Sequence, residues 1–266
     1  MLDALRMVGC GLLFVVGCGK SAIGPDAPAG GGPTDGAPHD VPVHIPGMPG
    51  VGAHALADYH LNEFVDEHSI STPSMSTSPS GSTIVVSIGR GDNRQFVLPT
   101  DNKGNSPYQQ LGMVQTYPSY PQSGTAVYAF TNATGGNDFR VSTTRNNNER
   151  GQPDEITIAA VEVLEGKTIH DFAWTSGTDD PLTSASVTTT GPATLIAFWW
   201  GDGFPGTPQE ALPDNDFSPL DTNAQELDSF VQCAVAAKNV SSPGTYNVTW
   251  KATPPQGAQL WLIAVQ

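Results

Sequence analysis

The chain of 266 residues carries 11 Lys and Arg against 26 Asp and Glu, a formal net charge of −15. Eleven scattered cations cannot neutralise a phosphate backbone, so nucleic acid is excluded as a partner, and an anionic lipid surface offers no attraction either. The acidity suits solubility and leaves divalent cations open.

Residues 1–18, MLDALRMVGCGLLFVVGC, form an apolar run too short to span a bilayer as a permanent helix, which marks a processing segment. Asp3 cancels Arg6, so its start is barely positive. Val15-Val16-Gly17-Cys18 resembles the lipobox of bacterial lipoprotein signal peptides. The resemblance implies acylation at Cys18 and a stable membrane anchor, since several acyl chains hold where one does not. Gly19 after that cysteine points to the outer membrane by the enterobacterial sorting rule. With Cys10 in the leader and Cys18 lipidated, Cys233 is left alone and no intramolecular disulfide can form. Cys233 has no basic neighbour in sequence and reads as a small buried apolar residue.

Residues 19–54 read as a disordered tether. Between Gly19 and Gly50, 15 of 32 residues are Gly or Pro, a composition too poor in apolar groups to order itself. Five of the six histidines, His39, His44, His54, His60 and His68, fall in or next to it, with no metal-ligand spacing. They are expected to be solvated.

Residues 55–266 read as one all-β domain, because short β-branched and aromatic runs alternate with Gly, Pro, Asn, Asp and Ser clusters. Strands are expected at Thr83–Gly89, Arg94–Leu98, Leu111–Tyr117, Thr125–Thr131, Phe139–Thr144 and Glu155–Leu164. Six more follow at Thr168–Trp174, Ser184–Thr190, Ala193–Trp200, Leu227–Ala237, Thr245–Lys251 and Gln259–Val265. Ala193–Trp200, ATLIAFWW, holds no charge and suits a central strand buried on both faces. Leu195, Ala197 and Trp199 would then face one layer, and Ile196, Phe198 and Trp200 the other. Some twelve strands suit a two-sheet β-sandwich, jelly-roll-like, more than a closed barrel, whose strands alternate polar and apolar throughout.

Gly89-Arg90-Gly91-Asp92, Thr100 to Asn105, Ala197 to Asp202 and Gly257 to Trp261 carry a resemblance to an uncharacterised family of β-sandwich modules in secreted bacterial proteins. The resemblance implies fold and compartment and brings over no catalytic residue.

The stretch Gly201 to Pro219 is the candidate site: Trp200, Asp202, Phe204, Glu210, Asp214 and Asp216 set carboxylates beside aromatic rings. Rings can stack on the apolar face of a sugar while acids accept its hydroxyls. The bland alternative is that one of Trp199 and Trp200 faces the core and that Asp214-Asn215-Asp216 is turn chemistry. As an EF-hand loop Asp214 fails at Pro219 and Gln225, and Asp101 fails at Lys103 and Gly104. An irregular structural calcium site stays open, and no other cofactor is expected. Signatures for a serine hydrolase, a P-loop, zinc or a reactive cysteine are absent. Three readings follow: a membrane-anchored lipoprotein that binds a glycan or a surface protein, a glycan hydrolase pairing Asp202 with Asp214 or Glu210, and a structural or adhesive protein. Arg90-Gly91-Asp92 matches an adhesion tripeptide, but Gly-Asp after a strand is ordinary turn sequence.

Overall fold

The computed structural model describes residues 44–59, 69–91, 95–117, 120–144, 155–202, 209–224, 231–251 and 257–266. All belong to the unit Pro38–Gln266, and the lipobox with most of the tether lies outside the described residues.

Every regular element described is a strand. The first half of the chain gives β1 (Gly50–Tyr59), β2 (Ser69–Ser71), β3 (Ser80–Arg90), β4 (Thr100–Asp101), β5 (Gln109–Tyr117), β6 (Tyr120–Thr134), β7 (Val141–Thr144) and β8 (Ile156–Leu164). The second gives β9 (Ile169–Gly177), β10 (Leu182–Thr183), β11 (Val187–Thr189), β12 (Ala193–Asp202), β13 (Ser218–Thr222) and β14 (Val231–Val240). It closes with β15 (Gly244–Tyr246), β16 (Thr249–Trp250) and β17 (Ala258–Val265). β1 begins inside the stretch read as tether, so residues 50–54 are strand. Arg94–Leu98 supplies no strand over its described residues 95–98.

Two five-stranded antiparallel sheets face one another, ordered β1-β8-β3-β6-β5 and β13-β14-β12-β17-β9. This is the expected β-sandwich. Its likeness to a jelly roll stops at the two facing sheets, because each half of the chain builds one whole sheet here instead of crossing between them. The halves repeat one plan: β1, β3, β5, β6 and β8 take the same order as β9, β12, β13, β14 and β17. Registers agree too. Val85 lies opposite Ala129 and Val161, as Ile196 lies opposite Ala237 and Ile263. That correspondence sets Ala126-Val127-Tyr128-Ala129 on Ala234-Val235-Ala236-Ala237.

The alternation of side chains along each strand fills three cores rather than one. Between the sheets pack Val85, Val127, Val161, Ile196, Phe198, Trp200, Trp261 and their neighbours. Leu195, Ala197 and Trp199, on the other face of β12, pack under a cover made by Leu182, Val187, Phe217, Val248 and Trp250. Ile84, Val86 and Tyr128, on the outer face of the first sheet, lie under Met75, Tyr108, Phe139 and Val141. Covering both outer faces explains why the central strands are apolar on both sides, where an open antiparallel sandwich would show polar residues outward.

The cover of the first sheet is fixed by one carboxylate. Asp101 accepts from the Lys103 and Asn105 backbone N–H groups through Oδ1, and from Asn105 Nδ2 and the Tyr108 hydroxyl through Oδ2. All four donors are protein groups. Burial, then the hydrogen bond and charge of Asp101, push the Tyr108 hydroxyl well above the usual tyrosine range.

Candidate functional site

Of the described side chains singled out in and after β12, Trp200 is buried while Glu210, Asp214 and Asp216 are exposed. Trp200 is 0% exposed, sits in the core between the sheets and donates its indole N–H to Ser87 Oγ at 3.0 Å. It has no face for a ligand, so its reading as a binding residue is corrected: strand alternation sent it inward. Asp202 ends β12 opposite Val231, whereas Asp216 reaches Lys238 seven residues further along β14, with Oδ2 to Nζ at 3.5 Å. At about 3.3 Å per residue the two backbones stand on the order of 20 Å apart.

Asp214 to Phe217 is a tight turn closed by Phe217 N–H to Asp214 O, with Asn215 and Asp216 at φ 56° and 62°. Two consecutive positive φ values define a type I′ turn, which Asn and Asp tolerate best after glycine. Asp214 Oδ1 accepts the Thr249 N–H at 2.8 Å, and Phe217 is buried under the sheet. The turn chemistry thus accounts for this run. Asp214, Asp216 and Glu210 are exposed, while Phe204 and the side chain of Asp202 lie outside the described residues.

Two histidines expected in solvent are instead held. His54 Nδ1 lies 2.7 Å from Asp221 Oδ2, and His44 Nε2 lies 3.5 Å from Glu165 Oε1. His39, His60 and His68 lie outside the described residues. Cys233 is buried as expected; burial, then the charges of Asp221 and Asp58, push its thiol well above the usual range and leave it inert. Arg90 is buried, with its guanidinium donating to Gln95 O and lying 5.9 Å from the Phe96 ring, so the tripeptide's arginine is structural. Among the described residues no group of three or more His, Cys, Asp or Glu side chains comes together.

A different place gathers exposed aromatic surface: the sandwich edge where β5 meets β9. β9 is the edge strand of the second sheet, and Phe172 and Trp174 pair in register with Ile263 and Trp261, both in the core between the sheets. Their side chains therefore point towards the first sheet. That sheet stops short of them, because β5 is its last strand and is bulged between Leu111 and Gln115. Phe172 is left 38% exposed, Trp174 45% and Met113 on the bulge 75%. Gly112, at φ +69°, lies against the Phe172 ring; a Cβ there would stand 3.1 Å from it. Glycine is thus required twice over, for its backbone and for its bare surface.

No family model matches this chain, and no curated protein or solved structure matches it. The chemistry of the edge is its own guide.

Behind the aromatic pair runs a buried polar chain. Trp261 Nε1 donates to Thr125 Oγ1, which donates to Gln259 Oε1. Gln259 Nε2 has no hydrogen-bond partner although the residue is fully buried. Gln259 lies opposite Ser176 of β9, one strand in from the edge, and Gln115 of β5 lies opposite Thr125 of β6. The edge therefore sets amide groups behind two rings.

The repeated plan supplies an internal comparison. At the opposite edge β1 and β13 stand where β9 and β5 stand here, with His54 in the place of Phe172 and Leu56 in that of Trp174. His54 to Asp221, and Asn223 Nδ2 to Asp58 Oδ2 at 3.1 Å, bind that edge shut. One edge is closed by polar clasps; the other leaves two aromatic rings open. The sequence reading placed a strand at Thr168–Trp174 but passed over its alternation, Phe172 and Trp174 against Asp171 and Ala173, which is the signal that marks a ring-bearing face.

Proposed function

We propose that this chain is an envelope lipoprotein, acylated at Cys18 and anchored to the outer membrane, whose β-sandwich binds an extracellular glycan. The observation that carries the reading is the pair Phe172 and Trp174, on one face of an edge strand and both substantially exposed. Exposed large rings cost hydration free energy and create an edge liability, so a pair kept open marks an interaction site. Nucleobases also stack on such rings, but a net charge of −15 repels their phosphates. The C–H face of a sugar fits the rings without charge. The lipobox supports the anchor and the compartment, where glycans are abundant.

The test uses the full-length protein on a glycan array, with and without calcium, beside Trp174→Ala and the double variant Asp214→Asn, Asp216→Asn. Signal on at least one glycan, lost in Trp174→Ala and kept in the double variant, is expected. A blank array contradicts the reading, and loss in the double variant alone would return the site to the turn after β12. For the anchor, Cys18→Ser is expected to move the protein from the membrane to the soluble fraction of cells; a variant that stays membrane-bound overturns lipidation there.

A further inference from the structure

The geometry points to a neutral glycan chain as the occupant of the β5–β9 edge, lying along β9 with different sugar units over Phe172 and Trp174. This rests on the glycan reading above and narrows it to a ligand class and a binding mode.

Spacing is the first ground. Two positions apart on an extended strand, the rings stand about 7 Å from one another, too far to share one pyranose and suited to separate units of a chain. Their common face and the run of β9 fix the direction of that chain. A single capped sugar would use one ring and leave the other as unexplained exposed surface.

Charge is the second. Neither Gln109–Tyr117 nor Ile169–Gly177 contains a lysine or arginine. The ionisable groups nearest the rings in sequence are His170 and Asp171 on β9, with Asp179 and Asp180 just after it. Asp171 is already engaged, its Oδ2 accepting the Thr188 N–H and hydroxyl at 2.8 and 2.9 Å. Along these two strands a uronate, sialate or sulfate would meet carboxylates and find no guanidinium or ammonium to pair with, a loss that ring stacking does not offset.

Polar chemistry is the third. Hydroxyl groups need neutral donors and acceptors, and β5 turns Gln109 and Gln115 to the same side as Leu111, towards the second sheet. Gln115 is buried and donates its Nε2 to Met113 O, and Gln259 is fully buried behind it, so the exposed Gln109 is the amide that meets the ligand. Amides rather than charges beside aromatic rings are the composition that recognises an uncharged polyol.

Affinity electrophoresis of the full-length protein separates the outcomes. Native gels would carry xyloglucan, galactomannan or dextran as neutral probes, and polygalacturonate, alginate or hyaluronan as anionic ones. Retardation by at least one neutral polymer and by none of the anionic ones is expected. Trp174→Ala and Phe172→Ala should each weaken it by about tenfold or more, as loss of one stacked ring does elsewhere, and Trp174→Phe should retain most of it. Both side chains lie at the edge of the sheet, so a cooperative thermal transition is expected to be retained in each variant. Retardation by an anionic polymer, or by a neutral one in both alanine variants, overturns this inference and leaves the glycan reading standing. No retardation by any polymer removes both. A dimer in solution that Trp174→Ala dissolves would make the edge a contact between copies of the chain, and would also overturn it.

Discussion

A chain shortened to residues 1–256 is expected not to fold. The deletion removes β17, which pairs with β12 on one side and β9 on the other along its whole length, and whose eight residues are all buried. Its alternation serves two cores at once: Trp261, Ile263 and Val265 between the sheets, Leu260, Leu262 and Ala264 under the outer cover. Burying a large apolar side chain stabilises by about 1.5–3 kcal/mol, so the five larger ones together contribute on the order of 10 kcal/mol. That equals the whole stability of an ordinary domain. Far-ultraviolet circular dichroism of the shortened chain should show no cooperative urea transition. A sigmoidal transition with a normal midpoint would mean that the second sheet closes without its inner strand, and would refute the assigned register.

Trp200→Ala is expected to destabilise the protein by about 3–5 kcal/mol, the range for deleting a buried tryptophan. The ring fills space that the facing strand leaves empty. A Cβ built on Gly89 would come within 2.3 Å of Trp200 Cζ3 and 2.7 Å of a Val231 methyl, so no side chain fits beneath the indole. In the repeated plan Gly89 and Trp200 occupy equivalent positions of β3 and β12, and the smallest residue of one half accepts the largest of the other. Interiors packed to crystal density tolerate neither the void nor the clash. Truncation therefore opens a cavity and removes the indole donor from the Ser87 hydroxyl. Urea titration monitored by circular dichroism measures the loss. A change below about 1 kcal/mol would contradict the packing described here.

The central strand was legible because its message is local. ATLIAFWW lacks charge, lies between Gly-Pro and Gly-Asp, and alternates, and it does form the middle of the second sheet with both faces buried. Local pattern also placed β5, β6, β8, β9 and β17. Of the outer covers it marked β7, β11 and β16, within Phe139–Thr144, Ser184–Thr190 and Thr245–Lys251, but not β2, β4 or β10, whose two or three residues have no periodicity to read. Pro219 hid β13, since proline in a strand survives only where its missing N–H is not needed, as at an edge.

Sites fared worse than strands for a physical reason. Trp200 looked like a ligand ring because it precedes a polar loop, yet its direction follows from its phase in the strand, which sends it inward with Ile196 and Phe198. Phe172 and Trp174 face the same side as their partners Ile263 and Trp261, both core residues, and would be buried too if another strand lay beyond β5. Their exposure depends on which strands end each sheet, a long-range property that no window of sequence contains. The clasp of His54 with Asp221 spans 167 positions and was invisible for the same reason.

The most direct test of the site uses the tryptophans themselves. Trp199, Trp200, Trp250 and Trp261 are fully buried, and Trp174 alone of the five is exposed. Acrylamide quenching of the full-length protein should therefore reveal one accessible tryptophan, and Trp174→Phe should abolish that fraction. Adding the neutral polysaccharide that most retards the protein on native gels should shield the same fraction from acrylamide. Quenching of Trp174 that is unchanged at saturating polymer would place the glycan elsewhere and contradict the account.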